Sequence, residues 1–216
     1  MPGPINTNDD SPLRRFERSM AMDIDAWREG RGYDLEALAA ASATERVAIE
    51  QLLLRHQPRD WNDIEALATL NTPASNAAIV EAQHDPDGMV RVAVLTFAQG
   101  QIDTDTRIRG LVAALETTEF YGGLTQALML AEDLHPPAVI EALWRGVKDR
   151  EGEVAMHFAA LLMYLHGQAS DAFDWELRPF FLTFNTDDPT ERLAAFGELC
   201  QRLDYHGDQR RSKGSE

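Results

Sequence analysis

Apolar residues along much of the chain recur at intervals of three and four positions, which is the spacing of one face of an α-helix. The clearest runs are Val90, Val94, Leu95 and Ala98, and Val154, Phe158, Leu161, Leu162 and Leu165. No convincing stretch alternates between apolar and polar residues as a half-buried strand does, and no Asn-Gly or Asp-Gly pair lies between two such stretches. The pattern therefore predicts an all-α protein.

Polar residues followed by proline indicate where several of these helices begin. The pairs are Ser11-Pro12, Thr72-Pro73 and Asp188-Pro189, with Pro136-Pro137 as a related case. Proline suits the first helical position, and the polar residue before it can cap the first turn. Ser42 with Glu45, and Asp188 with Glu191, have the spacing of a capping box. We expect the first helix to run to Gly30, a residue type common just past a helix end.

The chain also contains an internal repeat. Residues 72–85 (TPASNAAIVEAQHD) align without gaps with residues 136–149 (PPAVIEALWRGVKD), and residues 104–117 (TDTRIRGLVAALET) fit the same pattern midway between them. The period is therefore 32 residues, and a second apolar segment follows each copy. A repeat of this length built from two helices is typical of an α-solenoid, in which each repeat packs on its neighbours.

The segment TPASNAAIVEAQHDPDGMVRVAVLTFA resembles a HEAT repeat. Its turn Asp85-Pro86-Asp87 and its pair Val90-Arg91 match the Asp-Pro-Asp/Glu-x-x-Val-Arg pattern of that family. The later copy departs from the pattern, because Arg150 replaces Pro86 and Ala155 replaces Arg91. The resemblance implies an α-solenoid of antiparallel helix pairs, a HEAT-like right-handed superhelix of about ten to twelve helices with the second helices on its concave face. It also implies a role as a protein-interaction scaffold.

The composition divides the chain into five regions. We expect a disordered N-terminus at 1–10, an N-terminal helical cap at 11–59, HEAT-like repeats of period 32 at 60–166, an aromatic-rich C-terminal cap at 167–205 and a disordered tail at 206–216. The C-terminal cap contains Phe173, Trp175, Phe180, Phe181 and Phe184. These aromatic residues either close the array as a buried cap or expose an anchor for a partner protein, and both roles are compatible.

The net charge of −16, from 36 acidic residues against 20 Lys and Arg, narrows the choice of partners. It repels phosphate backbones, so nucleic acid is not an expected partner, whereas a basic protein would be attracted. The single cysteine, Cys200, allows no intrachain disulfide and is expected to be a buried or half-buried packing residue. With no signal-type N-terminus and no apolar run of about 20 residues, we expect a cytoplasmic protein without a membrane segment.

Candidate catalytic and metal-binding residues are few. The polar run His84-Asp85-Pro86-Asp87 lacks a further ligand at a recognisable spacing, and its two aspartates suit the capping of the next helix. The remaining histidines form no metal-binding pattern, and no Gly-x-Ser-x-Gly or phosphate-binding loop occurs. We therefore predict no catalytic residue, no metal and no cofactor.

Acidic residues near the helix ends and turns are the main candidates for partner binding, since repeats would align them along one edge. A solvated surface explains the same residues equally well. The predicted binding residues, including two aromatic side chains, are Asp103, Asp105, Glu116, Glu119, Tyr121, Asp149, Glu151, Glu153 and Trp175.

The predicted function is a non-catalytic, protein-binding HEAT-repeat module, specifically an acidic inhibitor or immunity-type protein that blocks a basic toxin or enzyme. One alternative is a HEAT-like lyase or chaperone for a tetrapyrrole chromophore, for which Tyr121, Trp144 and Tyr164 are the only aromatic hints. Another is a general assembly scaffold. A DNA-base glycosylase, known among HEAT-like proteins, would need a basic concave face that this charge disfavours.

Overall fold

The computed structural model describes residues 11–21, 32–117 and 123–205. Across these residues the chain is helical without a single β-strand, which confirms the predicted all-α class and helix number. The twelve α-helices within these described residues are α1 (Pro12–Met20), α2 (Leu35–Ala40), α3 (Ala43–Arg55), α4 (Trp61–Leu70), α5 (Pro73–Ala82), α6 (Gly88–Phe97), α7 (Thr104–Thr117), α8 (Thr125–Asp133), α9 (Pro137–Asp149), α10 (Gly152–Leu165), α11 (Arg178–Phe181) and α12 (Pro189–Arg202). They form two compact units, Met1–Thr104 and Asp105–Glu216.

The helix starts follow the caps that the sequence predicts. Ser11 and Thr72 each accept a hydrogen bond from a backbone N–H in the first turn of α1 and α5, and Ser42 forms a complete capping box with Glu45. Asp188 caps α12 as expected, but the carboxylate of Glu191 accepts a hydrogen bond from the Thr186 hydroxyl at 2.6 Å, where a capping box was predicted. Helix α1 ends at Met20, because Ala21 leaves helical geometry at φ −79° and ψ 75°, so the prediction of one helix running to Gly30 is wrong; Gly30 itself lies outside the described residues.

The run 84–87 is a capped turn between α5 and α6. Asp87 is the N-cap of α6 and accepts a hydrogen bond from the backbone N–H of Met89 at 2.8 Å. The Asp85 carboxylate accepts one from the N–H of Asp87 at 2.9 Å. The guanidinium of Arg91 donates back to the carbonyl oxygens of Asp85 and Pro86, at 2.6 and 2.9 Å. The Asp85 and Asp87 carboxylates and the Arg91 guanidinium therefore all bond to backbone atoms, as the capping interpretation predicts.

The unit Met1–Thr104 has one apolar core built from the inward faces of α1 to α6. Its fully buried large side chains are Phe16, Leu38, Ile49, Leu53, Ile64, Leu67, Ile79, Val90 and Val94. Trp61 and Phe97 stack at the edge of this core with ring centroids 6.3 Å apart. Burial of each large apolar side chain stabilises the fold by about 1.5–3 kcal/mol.

In the unit Asp105–Glu216, α9 and α10 approach closely because α9 has a glycine at the contact. A Cβ atom on Gly146 would lie 2.1 Å from Cε2 of Phe158, a ring that is fully buried on α10. No side chain larger than hydrogen fits there without moving the ring. An aromatic contact also joins α9 to the segment that follows α12, where Trp144 stacks on Tyr205 with ring centroids 3.8 Å apart.

The predicted repeat copies fall on helices whose starts repeat at the same distance. Pro73 and Pro137 begin α5 and α9, and Gly88 and Gly152 begin α6 and α10, so both pairs are 64 residues apart. The middle copy at 104–117 coincides with α7. The predicted tails at 1–10 and 206–216 lie outside the described residues.

The aromatic segment of the C-terminal region is divided between interior and surface. Phe180, Phe181 and Phe184 are buried and contact one another on α11 and the 3-10 turn that follows it. Trp175 is 71% exposed, with the Arg178 guanidinium 4.6 Å above its ring. The region therefore supplies both a buried aromatic cluster and one exposed ring. Of the helices in the described residues, none has both the length and the apolar character needed to cross a membrane.

Candidate functional site

The first candidate site is a polar cluster at the start of α4. Asp63 is fully buried, and its carboxylate lies 2.9 Å from Nδ1 of His56 and 3.2 Å from the hydroxyl of Tyr33. Asp60 is the N-cap of the same helix, and it forms a reciprocal capping box with Asp63. The four side chains come from three places: Tyr33 lies two residues before α2, His56 is the C-cap of α3, and Asp60 and Asp63 lie at the N-cap and in the first turn of α4.

The burial of this cluster sets its protonation. Burial raises the pKa of Asp63, against the hydrogen bonds from the Asp60 N–H and His56, which lower it. Burial, followed by the charges of Asp63 and Asp60, raises the pKa of Tyr33 well above its usual value. The Tyr33 phenol therefore keeps its proton and donates hydrogen bonds to the Asp63 and Asp60 carboxylates, as a buried hydroxyl must.

His56, Asp60 and Asp63 each offer one ligand atom, and these atoms lie within 4.8 Å of one another. Three protein ligands of this type can hold a catalytic zinc ion. In this structure, however, the carboxylates already accept bonds from the backbone N–H groups of Asp60, Asn62 and Asp63, and from the side chains of Tyr33 and His56. Because their oxygens are committed to these donors, we interpret the cluster as a structural brace, which we call the polar brace.

The polar brace was not predicted from the sequence. Its signal is the spacing His56, Asp60 and Asp63, in which the aspartates lie four and seven residues after the histidine. Capping signals account for Asp60 and Asp63 locally, but Tyr33 is 30 residues before Asp63, so no local pattern includes it. The burial that gives Asp63 its properties was therefore not visible in the sequence.

The second candidate site is an apolar pocket of about 210 Å3 in the unit Asp105–Glu216. Its walls come from α8, α10 and the loop before α11. The lining residues are Leu124, Thr125, Leu128, Met129, Glu132, His157, Leu161, Ala172 and Phe173. The His157 and Phe173 rings face each other across the pocket wall with centroids 5.1 Å apart. Six of the nine lining residues are apolar, so this pocket suits an apolar group with few polar contacts.

The chain segments that build the pocket are acidic. Residues 123–133 and 152–177 contain no Lys or Arg. They contain six carboxylates: Glu132, Asp133, Glu153, Asp171, Asp174 and Glu176. Hydrogen bonds from the Ser170 hydroxyl and backbone N–H hold the pKa of Asp174 below its usual range, so this carboxylate stays charged. Burial lowers the pKa of His157, although the negative charge of Glu153 raises it in part. The net lowering favours the neutral imidazole.

The predicted binding residues are not all in one place. Trp175 and Glu153 belong to the segments that build the pocket, whereas Glu116 pairs with Arg145 and Glu151 pairs with Arg192, each at 2.8 Å. Asp149 is exposed in the last turn of α9.

Two further predicted acidic residues, Asp103 and Asp105, flank the first residue of α7. Glu119 and Tyr121 lie outside the described residues. Neither Glu132 nor Met129 was among the predicted binding residues, although both line the pocket. Their spacing on α8 alone gives no signal, because the opposite wall comes from residues about 30 positions later.

The aromatic residues considered for a chromophore have different environments. Trp144 is buried between Tyr205, Phe196 and His166, so its ring packs within the protein. Tyr164 is half-buried near the end of α10. Cys200 is half-buried on α12, as predicted.

Comparisons of the chain with family models, with curated proteins and with solved structures found no match.

Proposed function

We propose that this protein is a non-catalytic, acidic binding module that recognises a basic protein. The observation that carries the proposal is the net charge of −16, which surrounds a helical framework with a field attractive to cations. Complementary charge of this kind raises association rates and disfavours acidic partners and nucleic acids. The half-buried single cysteine suits a reducing compartment, and a cytoplasmic location is part of the proposal.

We further propose that the helices stack as a HEAT-like solenoid within each unit. In Met1–Thr104, α3 and α5 are the first helices of successive helix pairs, and α4 and α6 are the second helices. The first helices pack against each other, and so do the second helices. In Asp105–Glu216, α9 packs against α10 and also against α12, while α8 packs against α10. Such layered contacts support a repeat array, and the Asp85-Pro86-Asp87 turn with Arg91 adds the family-like turn.

The more specific proposal is that the protein acts as an inhibitor or immunity-type protein, which neutralises a basic enzyme or toxin by covering its functional surface. A binding surface whose helices are already packed on a core needs less ordering on association than an unstructured one, and this limits the entropy lost. An assembly scaffold would use the same surface but leave the partner active.

Affinity capture tests the proposal. The full chain is immobilised beside a second resin that carries an unrelated protein of equal net charge. Lysate is loaded at about 50 mM salt and eluted at about 500 mM, since surface electrostatics are screened over that range. We expect a basic protein that binds saturably to this chain and not to the control resin. Identical proteins on both resins would show that charge alone is recognised, and the proposal would fail.

The captured protein then distinguishes inhibitor from scaffold. Its own enzymatic or toxic activity is measured with increasing amounts of this chain. An inhibitor removes the activity at equimolar concentration, whereas a scaffold leaves the activity unchanged in a complex that still forms. Calorimetry at low and high salt should show affinity falling by about tenfold or more as the salt rises.

A further inference from the structure

The apolar pocket on α8 and α10 leaves apolar surface open to solvent. Met129, on its wall, is 63% exposed, and Trp175, two residues after the lining residue Phe173, is 71% exposed. An engineered apolar cavity of about 150 Å3 holds a benzene ring, so a volume of about 210 Å3 admits a phenyl or leucyl group. Met is also adaptable in shape, which suits a surface that closes around an inserted group.

The charges around this pocket indicate what kind of partner would supply the inserted apolar group. Six carboxylates and no Lys or Arg occur in the two segments that form its walls, residues 123–133 and 152–177. The nearest following cation, Arg178, packs over the Trp175 ring. Glu132 lies in the lining itself and is only half-buried, so it can meet a cation at the mouth.

We infer that this pocket receives one apolar side chain, aromatic or leucyl, from a Lys- and Arg-rich segment of the partner protein. The inference rests on the proposed function and assigns it a site. The apolar side chain fills the space between Leu128, Met129 and Phe173, and flanking cations meet Glu132 and the loop carboxylates. This is the usual arrangement of a binding hot spot, in which a desolvated anchor is surrounded by a polar rim.

Matched cationic peptides test the inference directly on the full chain. Three nine-residue peptides carry four lysines on each side of a central Phe, Leu or Gly, so they differ only in the anchor. Isothermal titration calorimetry measures their affinities at about 50 mM salt, where charge attraction is least screened. Burial of the anchor is expected to make the Phe and Leu peptides bind about tenfold or more tightly than the Gly peptide.

Two variants locate the binding site. Met129→Ala removes the exposed wall, and Ala172→Leu narrows the pocket from the opposite loop. With either variant, we expect the Phe peptide to bind no more than about threefold more tightly than the Gly peptide. This loss of affinity corresponds to the burial of roughly one or two methylene groups. Leu193→Ala is the matched control, since Leu193 is 70% exposed on α12 and does not line the pocket. It should leave all three affinities unchanged, and circular dichroism checks that each variant folds.

A second pair of variants tests the cationic rim. Glu132→Gln removes the carboxylate at the pocket, and Glu36→Gln removes an exposed one in the other unit. We expect Glu132→Gln to weaken all three peptides by about threefold, in line with one partly screened ion pair, and Glu36→Gln to have no effect. Equal effects of the two variants would overturn the assignment of the rim.

The outcomes separate this inference from the proposed function. If the Phe, Leu and Gly peptides bind equally, the pocket inference fails, while an acidic module that binds basic proteins still stands. If the captured protein partner binds normally to Met129→Ala and Ala172→Leu, the same conclusion follows. If neither the peptides nor any captured protein binds, the proposed function fails as well. If indole shifts the NMR signals of the lining residues and the Phe peptide does not, the pocket takes small apolar molecules and the inference is overturned.

Discussion

The two units of this protein join their helices by different means. In Met1–Thr104, a buried carboxylate, Asp63, connects the start of α4 to His56 and Tyr33 through hydrogen bonds. In Asp105–Glu216, the corresponding connections are aromatic: Trp144 stacks on Tyr205, and the Phe158 ring fills the space beside Gly146.

Hydrogen bonds to a buried charge are directional, so the polar brace specifies a single arrangement and is costly to break. Apolar packing is not directional, and the mostly apolar lining of the pocket in the second unit leaves few polar groups there to be satisfied. The buried polar contacts described in Met1–Thr104 thus depend on hydrogen-bond geometry, whereas the close ring contacts described in Asp105–Glu216 depend on shape, and the pocket on α8 and α10 lies in that second unit.

The largest expected effect comes from removing the buried carboxylate. Asp63→Ala leaves Tyr33 and His56 without their shared acceptor and also breaks the α4 capping box. We expect the free energy of unfolding to fall by about 3 kcal/mol or more, as when one member of a buried ionic network is removed. Urea denaturation followed by circular dichroism measures the loss.

The control for Asp63 is Asp87→Ala, which removes an exposed N-cap aspartate in the same unit. A simple cap contributes about 1 kcal/mol. If the two variants lose equal stability, Asp63 acts as a cap alone, and the polar brace does not have the role assigned to it.

The next effect tests the close packing of the second unit. Gly146→Ala places a methyl group against the buried Phe158 ring. Overpacking of this kind is expected to cost about 1–3 kcal/mol, even though alanine is the better helix former. Thermal unfolding of the purified variant measures the change.

Gly197→Ala is the matched substitution, because Gly197 also lies inside a helix, α12, but has open space around the added methyl group. It should stabilise the protein by up to about 1 kcal/mol through helix propensity. If Gly146→Ala does not lower the unfolding temperature, α9 and α10 can separate at little cost, contrary to the packing described.

A third prediction concerns arginines that serve the backbone in both units. Arg91 donates to the carbonyls of Asp85 and Pro86, and Arg150 donates to those of Leu115 and Glu116 at 3.2 and 2.8 Å. We expect Arg91→Leu and Arg150→Leu each to lower the unfolding free energy by about 1 kcal/mol, since each removes two partly exposed hydrogen bonds. Urea unfolding compares them.

Arg14→Leu serves as the reference for those two, because the Arg14 guanidinium forms an exposed ion pair with Glu17. Pairs of this kind contribute about 0.5 kcal/mol or less. A loss at Arg91 no greater than that at Arg14 would remove the turn-bracing role of Arg91.

The smallest effect is a pH dependence in the second unit. Burial lowers the pKa of His157 in the folded state, so the unfolded chain takes up its proton first as the pH falls. The stability is therefore fully present above the unfolded value of 6.5 and decreases as the pH drops below it. Unfolding free energies measured from about pH 8 to pH 5 should fall less steeply in His157→Gln than in the parent.

The comparison for that series is His84→Gln, at an exposed histidine of the first unit. Its profile should follow that of the parent. If His157→Gln and the parent have the same slope, the imidazole takes up its proton in the folded state as readily as in the unfolded chain.

The local features of the fold were accessible from the sequence because they depend on residues a few positions apart. The caps at Ser11, Ser42, Thr72 and Asp188 and the turn at Asp85-Pro86-Asp87 all involve backbone groups within four residues, and the structure has them as predicted. The partner of Glu191 differed because Thr186, five residues earlier, offered a competing hydroxyl. None of the residues that line the pocket was among the predicted binding residues, since its walls come from separate segments of the chain; Glu153 and Trp175 lie only near the lining residues in sequence.

What the sequence by itself determined is thus the helical class, the starts of most helices, the 32-residue spacing and the acidity of the chain, since these follow from local hydrogen bonding, periodicity and composition. Only the tertiary structure decided which polar residues are buried and where the packing leaves space. In the sequence, Asp63 has only the pattern of a helix-capping aspartate. In the structure it is buried and accepts a hydrogen bond from Tyr33, 30 residues earlier in the chain. Gly146 becomes essential only when Phe158 lies against it, and the pocket exists because α8 and α10 do not fill the space beside Phe173. Burial is a property of contacts between distant residues, and no local pattern contains it.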